Sequence, residues 1–300
     1  MLKLSEFSVK DWLKLRPLDV AFKQVRNDVW LKYYVNQKPT ELSQFLADHC
    51  HLTGKNIAIV VAFEQPWAVN WLLQMAKKNL INTTVLVFDN SHKAIARAEL
   101  AAVCQKNDAP YLALPMNRTK HVNRSHGMAM SWIYDNIVNA IQPKLFAFID
   151  HDLIPVSEVD FEERLAEQPF FGRAGGKLPQ YWSLWAGYCI FDFAYTKNKP
   201  LNFLYDFSRG LDTGGRNWNG VYSHFDKAQI KFAERTFKNI CLPSIEIAKS
   251  VEFVDERWMH IGSISYNDGF RSKLKFFESL ASSLKQNSDW ARLVEPVALI

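Results

Sequence analysis

Apolar residues along this chain follow one rhythm up to about residue 54 and another beyond it. In the first part they recur at helical spacing, with Trp12, Leu13, Phe22, Val25, Val29, Trp30 and Tyr33, then Leu42, Phe45 and Leu46 in a shorter helix closed by Thr53-Gly54. From Ile57 onward, short apolar runs alternate with longer amphipathic stretches. The runs 57–63, 83–88, 111–114 and 144–149 read as strands. Residues 67–78, 93–105 and about 125–141 read as helices, the last turning Met130, Ile133, Ile137 and Ile141 inward.

Four strands alternating with three helices predict a three-layer α/β/α arrangement with a mostly parallel central sheet and right-handed crossovers. After Asp152 the rhythm breaks: short strands such as 183–193 alternate with loops rich in Gly, Trp and Asn. The chain closes with a helix near 270–284 that puts Phe270, Leu274, Phe277 and Leu284 on one face, a pattern expected to pack inward rather than dock on a membrane. The expected division is an N-terminal helical extension over 1–54, an α/β domain over 55–268, and a C-terminal helix and tail over 269–300 packed on that domain.

Composition narrows the class. Three hundred residues with 48% apolar content can bury a large core. Cys50, Cys104, Cys189 and Cys241 lie far apart with no C-x-x-C pair, which argues against a disulfide framework or a zinc site and for a reducing compartment. His49-Cys50-His51 has no second ligand pair at metal-binding spacing and reads as a helix end. The opening residues lack a signal-peptide pattern, and the run 57–63 is too short to span a bilayer, so a soluble cytoplasmic protein is expected. The formal charge of +5 is spread along the chain. That balance does not call for nucleic acid; it suits anionic small molecules such as nucleotide diphosphates and, at most, peripheral contact with an anionic membrane.

The chemistry concentrates in the segment Lys144-Leu145-Phe146-Ala147-Phe148-Ile149-Asp150-His151-Asp152. A buried strand ends there on two acids one position apart, at the end of the strand where open α/β sheets gather ligands. Two such carboxylates stay ionised together most readily around a divalent cation; the alternative is a helix cap plus a surface acid. The first strand-to-helix turn, Phe63-Glu64-Gln65-Pro66-Trp67, contains no glycine, so neither a dinucleotide fingerprint nor a P-loop is present. A diphosphate would therefore have to be held by a metal at Asp150 and Asp152. Carboxylate oxygen suits Mn²⁺ or Mg²⁺. His260, joining through a neutral ring nitrogen, would favour Mn²⁺, and Arg124 or Lys120 would add charge-assisted hydrogen bonds.

Over about residues 56–265 this order of segments resembles the GT-A class of nucleotide-sugar-dependent glycosyltransferases. Asp150-His151-Asp152 is similar to their Asp-x-Asp motif. Asp89 closes the second strand where that class often keeps an acid that contacts the nucleoside. Asn123-Arg124-Ser125-His126-Gly127 resembles a basic, glycine-containing segment near the nucleotide. Trp185-Ala186-Gly187-Tyr188 resembles a strand that borders the donor sugar, and Met259-His260-Ile261-Gly262 a late element supplying a third metal ligand, here with His-x-Gly spacing. The resemblance implies nucleotide contacts from Phe63, Asp89, Arg124, His126, Asp150 and His151, and substrate contacts from Trp185 and Gly187. It implies metal ligation by Asp150, Asp152 and His260.

Several of these positions have a second reading from the residues alone. Asp89 before Asn90-Ser91 is also good helix-cap chemistry, His126 a plausible helix-start residue, and His260 a structural histidine among Trp258, Met259 and Ile261. Of Trp182 and Trp185, one is expected in the core and one at the substrate. An inverting transferase needs a carboxylate base near the acceptor hydroxyl. Asp212 in Leu211-Asp212-Thr213-Gly214-Gly215 is the first candidate, with Asp192, Asp255 and Glu256 behind it, and a retaining mechanism would need none of them. The expected activity is metal-dependent transfer of a sugar, UDP-linked by expectation, from a nucleoside diphosphate donor to a glycan or lipid-linked acceptor. The alternatives are a nucleotidyltransferase that makes a nucleotide sugar and a noncatalytic nucleotide or glycan binder.

Overall fold

The computed structural model describes residues 6–178, 180–242, 245–262 and 270–286. The chain begins with α1 (Val9–Leu13), capped reciprocally by Ser8 and Asp11, and α2 (Arg16–Val35), whose Pro17 suits a first helical turn because its missing N–H is not needed there. α3 (Leu42–Asp48) and the tight turn Cys50–Leu52 follow. On α2 the residues that meet the core are Val20, Asn27, Leu31 and Tyr34, while Phe22, Val25 and Val29 point outward. Helical spacing revealed that an apolar face exists on this helix. It did not tell which of two such faces meets the protein.

The alternating region runs β1 (Asn56–Ala62), α4 (Pro66–Asn79), β2 (Thr83–Asp89), α5 (Ala94–Lys106), β3 (Tyr111–Ala113) and α6 (Val122–Ile133). A π turn over Tyr134–Val138 leads into α7 (Asn139–Ile141) and β4 (Leu145–Asp150). There follow β5 (Leu153–Pro155), α8 (Phe161–Leu165), β6 (Phe170–Gly175), β7 (Ser183–Asp192), α9 (Phe193–Thr196), β8 (Arg235–Leu242), β9 (Ile245–Val254), β10 (Trp258–His260) and α10 (Phe270–Gln286).

The central sheet has the order β3-β2-β1-β4-β7-β6. Its first four strands are parallel, and β7 runs antiparallel to both β4 and β6. Side chains of β1 alternate between two apolar layers. Ala58, Val60 and Ala62 pack toward Val69, Trp71 and Leu72 of α4, and Ile57, Ile59 and Val61 toward Met130, Ile133 and Ile137 of α6 and its π turn. A strand buried on both faces can be apolar throughout, which is why these runs stand out in the sequence.

The expectation of one mostly parallel sheet needs correction. The six-stranded sheet is mixed, and a second sheet of order β5-β10-β9-β8 is antiparallel in every pairing. Its two long strands interleave apolar with polar residues and the other two have only three residues each, so they gave no long apolar run to read. α10 packs inward through Phe276, Phe277, Leu280 and Leu284, with the Phe277 ring 6.4 Å from that of Trp71. Leu274 is half-buried, and the Phe270 side chain lies outside the described residues. Among the described residues, no helix is long and apolar enough to cross a membrane.

Candidate active site

The carboxyl ends of β1 and β4 open into a cavity of about 650 Å³. Registers determine what reaches it. Val61 pairs with Asp150 across β1 and β4, and Ile149 pairs with Tyr188 across β4 and β7, so the first acid comes opposite Gly187. A Cβ at Gly187 would overlap both the Asp150 carboxylate and the Trp185 ring, so only glycine leaves this acid its place. His121 caps α6 by accepting from the Arg124 amide at 3.3 Å, which starts that helix with Asn123, Ser125 and His126 at the cavity wall.

β5 begins directly after Asp152 and pairs with β10, placing Leu153 opposite His260. The Ile261 amide donates to the Asp152 carbonyl at 3.0 Å, locking the two segments together. His260 Nε2 consequently lies 3.8 Å from Asp152 Oδ1. One ligand atom from each of Asp150, Asp152 and His260 falls within 4.8 Å of the others. Two carboxylate oxygens and an imidazole nitrogen could hold a divalent metal ion, and the other ring nitrogen, Nδ1, lies 3.2 Å from Glu252 Oε2.

Burial, and then the charge of Asp152, push the Asp150 carboxyl up to about 6. Burial works against a charged His260, yet Glu252, Asp152 and Asp150 together hold its ring above the usual histidine range. Burial also opposes the Glu252 charge, but contacts with His260 and with Arg235, whose Nε donates at 2.7 Å, bring it down to about 2. Arg173 reaches Glu252 at 3.2 Å and stacks over Trp185 at 5.2 Å, bracing the wall of the cavity. Burial pushes His126 down to about 4, so its ring, 3.8 Å from Asp150, is neutral at pH 7 and offers a hydrogen bond rather than a charge.

Phe63, His126, Asp150, His151, Asp152, Trp185, Gly187, Asp212 and His260 all line the cavity. Asp89 and Arg124 do not. Asp89 is fully buried and accepts from the Ser91 amide at 2.7 Å and the Tyr111 hydroxyl at 2.8 Å, so it builds the turn after β2. Arg124 points away from the opening, bonding Thr119 Oγ1 at 3.1 Å and lying over Trp30 at 5.0 Å, while Lys120 faces the space. Trp182 is buried in the core and Trp185 forms cavity wall, with its ring centroid 5.0 Å from that of His260.

Asp212 is exposed at the rim, its Oδ1 accepting from Asn123 Nδ2 and from the Thr213 amide. Asp192, Asp255 and Glu256 do not line the cavity: Asp192 caps α9, and Asp255 faces Arg164 at 3.5 Å. Sequence reasoning missed Asn90, His92, Thr119, Thr213 and Glu252. The first four sit in loops with no periodicity. Glu252 becomes recognisable only once β9 is known to pair with β10.

No protein-family model matches the chain, and no curated protein does. Among solved structures it is similar in part to S. aureus TarS, with 14% identity, a TM-score of 0.34, and coverage of 50% of this chain and 30% of that one. A TarS 1–349 structure gives 13% identity and a TM-score of 0.34 over 50% of both chains. The apo structure of WbbM, a bifunctional glycosyltransferase, gives 10% identity and a TM-score of 0.32 over 47% of this chain and 32% of that one. The chain spans about a third to a half of the length of these solved chains. Overlap of this extent defines neither fold nor chemistry, which rest on the chain's own residues.

Proposed function

We propose that this chain is a metal-dependent glycosyltransferase of the GT-A type, moving a sugar from a UDP-linked donor to a carbohydrate or lipid-linked acceptor. The observation that carries the reading is the convergence of Asp150, Asp152 and His260 within 4.8 Å on the floor of a cavity of about 650 Å³. Such a volume lies within the roughly 300–1,000 Å³ of small-molecule sites. The central sheet supplies Asp150 at the end of β4, the second sheet supplies His260 on β10, and Asp152 lies in the turn between β4 and β5. The second sheet is antiparallel, without the helical crossovers of a second nucleotide-binding layer, which supports a GT-A arrangement over a pair of doubly wound domains.

In this reading Asp152 and His260 hold Mn²⁺ or Mg²⁺, and Asp150 shares the ion or holds the ribose. When bound, the ion supplies Lewis-acid stabilisation of the departing diphosphate. Lys120 and Thr119 flank the phosphates, Phe63, Asn90 and His151 the nucleoside, and Trp185 and Gly187 the sugar. Neutral His126 donates to or accepts from a donor hydroxyl. Asp212, at the open rim, takes the proton of the acceptor hydroxyl in an inverting reaction. Residues 55–268 form the catalytic domain, with α1–α3 and 269–300 as additions to it. A reducing, cytoplasmic setting that keeps the four cysteines as thiols belongs to the same proposal.

Calorimetric titration with UDP, with and without Mn²⁺, tests the site. The expected result is binding that needs the metal and is abolished by Asp152→Ala. UDP binding indifferent to metal would overturn the proposal. Slow hydrolysis of a UDP-sugar in the absence of acceptor then separates an enzyme from a binding protein.

A further inference from the structure

α2 carries two apolar faces. Val20, Asn27, Leu31 and Tyr34 are buried against the body of the protein. Half a turn away, Leu18, Phe22, Val25 and Val29 form a second row, spaced four, three and four residues apart, with Leu15 before it and Tyr33 beside its end. These six side chains are 56–73% exposed. A row at this spacing is a narrow seam of the coiled-coil kind, designed to meet one other helix rather than a broad core.

Its flanks identify the occupant. A helix lying on an anionic bilayer has a wide apolar face and basic flanks. Here acids and bases alternate beside the seam, with Asp19 and Asp28 as well as Arg26 and Lys32, and within the chain Asp19 also pairs with Lys23 and Asp28 with Arg216. We propose that the seam docks against the same seam of a second copy of this chain, the two α2 helices running antiparallel. Phe22 then packs against the partner's Val25 and Leu18 against the partner's Val29. That register brings Asp19 alongside the partner's Arg26, and the twofold axis repeats the pair. With on the order of 100 Å² exposed per side chain, six of them per copy give ~1,200 Å² for the pair, within the size range of specific interfaces.

Light scattering on the full chain during size-exclusion chromatography, at tens of micromolar, decides the proposal. A dimer is expected for the unaltered chain and a monomer for Phe22→Asp/Val29→Asp, with the far-ultraviolet circular dichroism of the folded chain preserved because both residues lie opposite the buried face, and with only the stabilisation that dimerisation adds lost from the melting temperature. Asp19→Arg sets like charges across the axis and should weaken the dimer at least tenfold. It also serves as the deciding variant if the double substitution fails to fold. Asp19→Arg/Arg26→Asp should restore the dimer. An unaltered chain that stays monomeric overturns the proposal, including one that sediments with phosphatidylglycerol vesicles. So does a dimer that survives the aspartates, or a charge swap that fails to rescue.

Discussion

Glu252 and His260 are direct cross-strand partners in the antiparallel sheet, and Glu252 Oε2 stands 3.2 Å from His260 Nδ1 on the side away from Asp152. The carboxylate thereby favours, through its charge, the ring orientation that turns Nε2 toward the two acids. It is itself held by Arg173 and Arg235. A ligand histidine without such a partner loses both its tautomer and its orientation.

Glu252→Gln keeps the size of the side chain and removes its charge. Mn²⁺ affinity is expected to fall about 10–100-fold, the usual effect of removing an outer partner of a metal ligand. Titration of free Mn²⁺ by electron paramagnetic resonance reads this directly. Unchanged affinity would mean that His260 does not ligate through Nε2.

Gly187→Ala probes the opposite wall. The added methyl meets the Asp150 carboxylate and the Trp185 ring, and both must move. A loss of about 1–3 kcal/mol in stability is expected from overpacking, together with at least a tenfold loss of metal-dependent UDP binding as Asp150 leaves its position. Thermal melting and calorimetry measure the two effects separately. A variant with normal melting and normal binding would contradict the packing described for this strand.

The central sheet was legible because its strands are buried on both faces and alternate with long amphipathic helices, so 57–63 and 83–88 announced β1 and β2 almost to the residue. The acids were legible for the same reason, since Asp150 and Asp152 end an apolar strand abruptly. His260 was recognisable as a candidate, but its route to the site was not. That route runs through a three-residue pairing of β5 with β10, and partners over 100 residues apart leave no local signature. Asp89 and Arg124 failed to reach the cavity because a residue at the right end of the right element can still turn its side chain toward its own turn, as both do.

The loop that carries Asp212 depends on a buried charge pair. Asp206 Oδ2 accepts from Arg209 at 2.6 Å, and the backbones of Asp206 and Leu211 bond each other in both directions at 3.0 Å. Burial alone would raise the Asp206 carboxyl, but Ser208 and Arg209 outweigh it and hold the group below its usual value of 3.8. The folded pKa is thus lower than the unfolded one, and the pair's contribution is complete above the unfolded value. As pH falls below about 4 the unfolded chain takes up the proton first, so stability declines and the contribution is gone once pH passes through the folded pKa. Asp206→Asn takes the countercharge from the buried Arg209 guanidinium, which keeps its bond to Asn219 Oδ1, and is expected to cost about 3–5 kcal/mol at pH 7. Urea midpoints followed from pH 7 to pH 2 should show the variant losing less on acidification than the parent. Parallel curves would place the acid sensitivity elsewhere.

Asp212 itself separates transfer from binding. Asp212→Asn retains an Oδ1 acceptor for Asn123 and the Thr213 amide, so the rim keeps its shape while the basic carboxylate is lost. If Asp212 is the base of an inverting reaction, transfer to acceptor should fall about 10²–10⁴-fold, the range for loss of a positioned base. UDP binding should not change if, as proposed, the carboxylate at the exposed rim serves the acceptor and not the donor. Slow hydrolysis of the donor by water should fall less than transfer does, since water reaches the donor without being oriented by this group. Rates of transfer and hydrolysis measured on one preparation, with UDP affinity as the control, make the comparison. Equal losses in all three would mark a general distortion of the loop, and unimpaired transfer would assign the proton to another acceptor or the reaction to a retaining course.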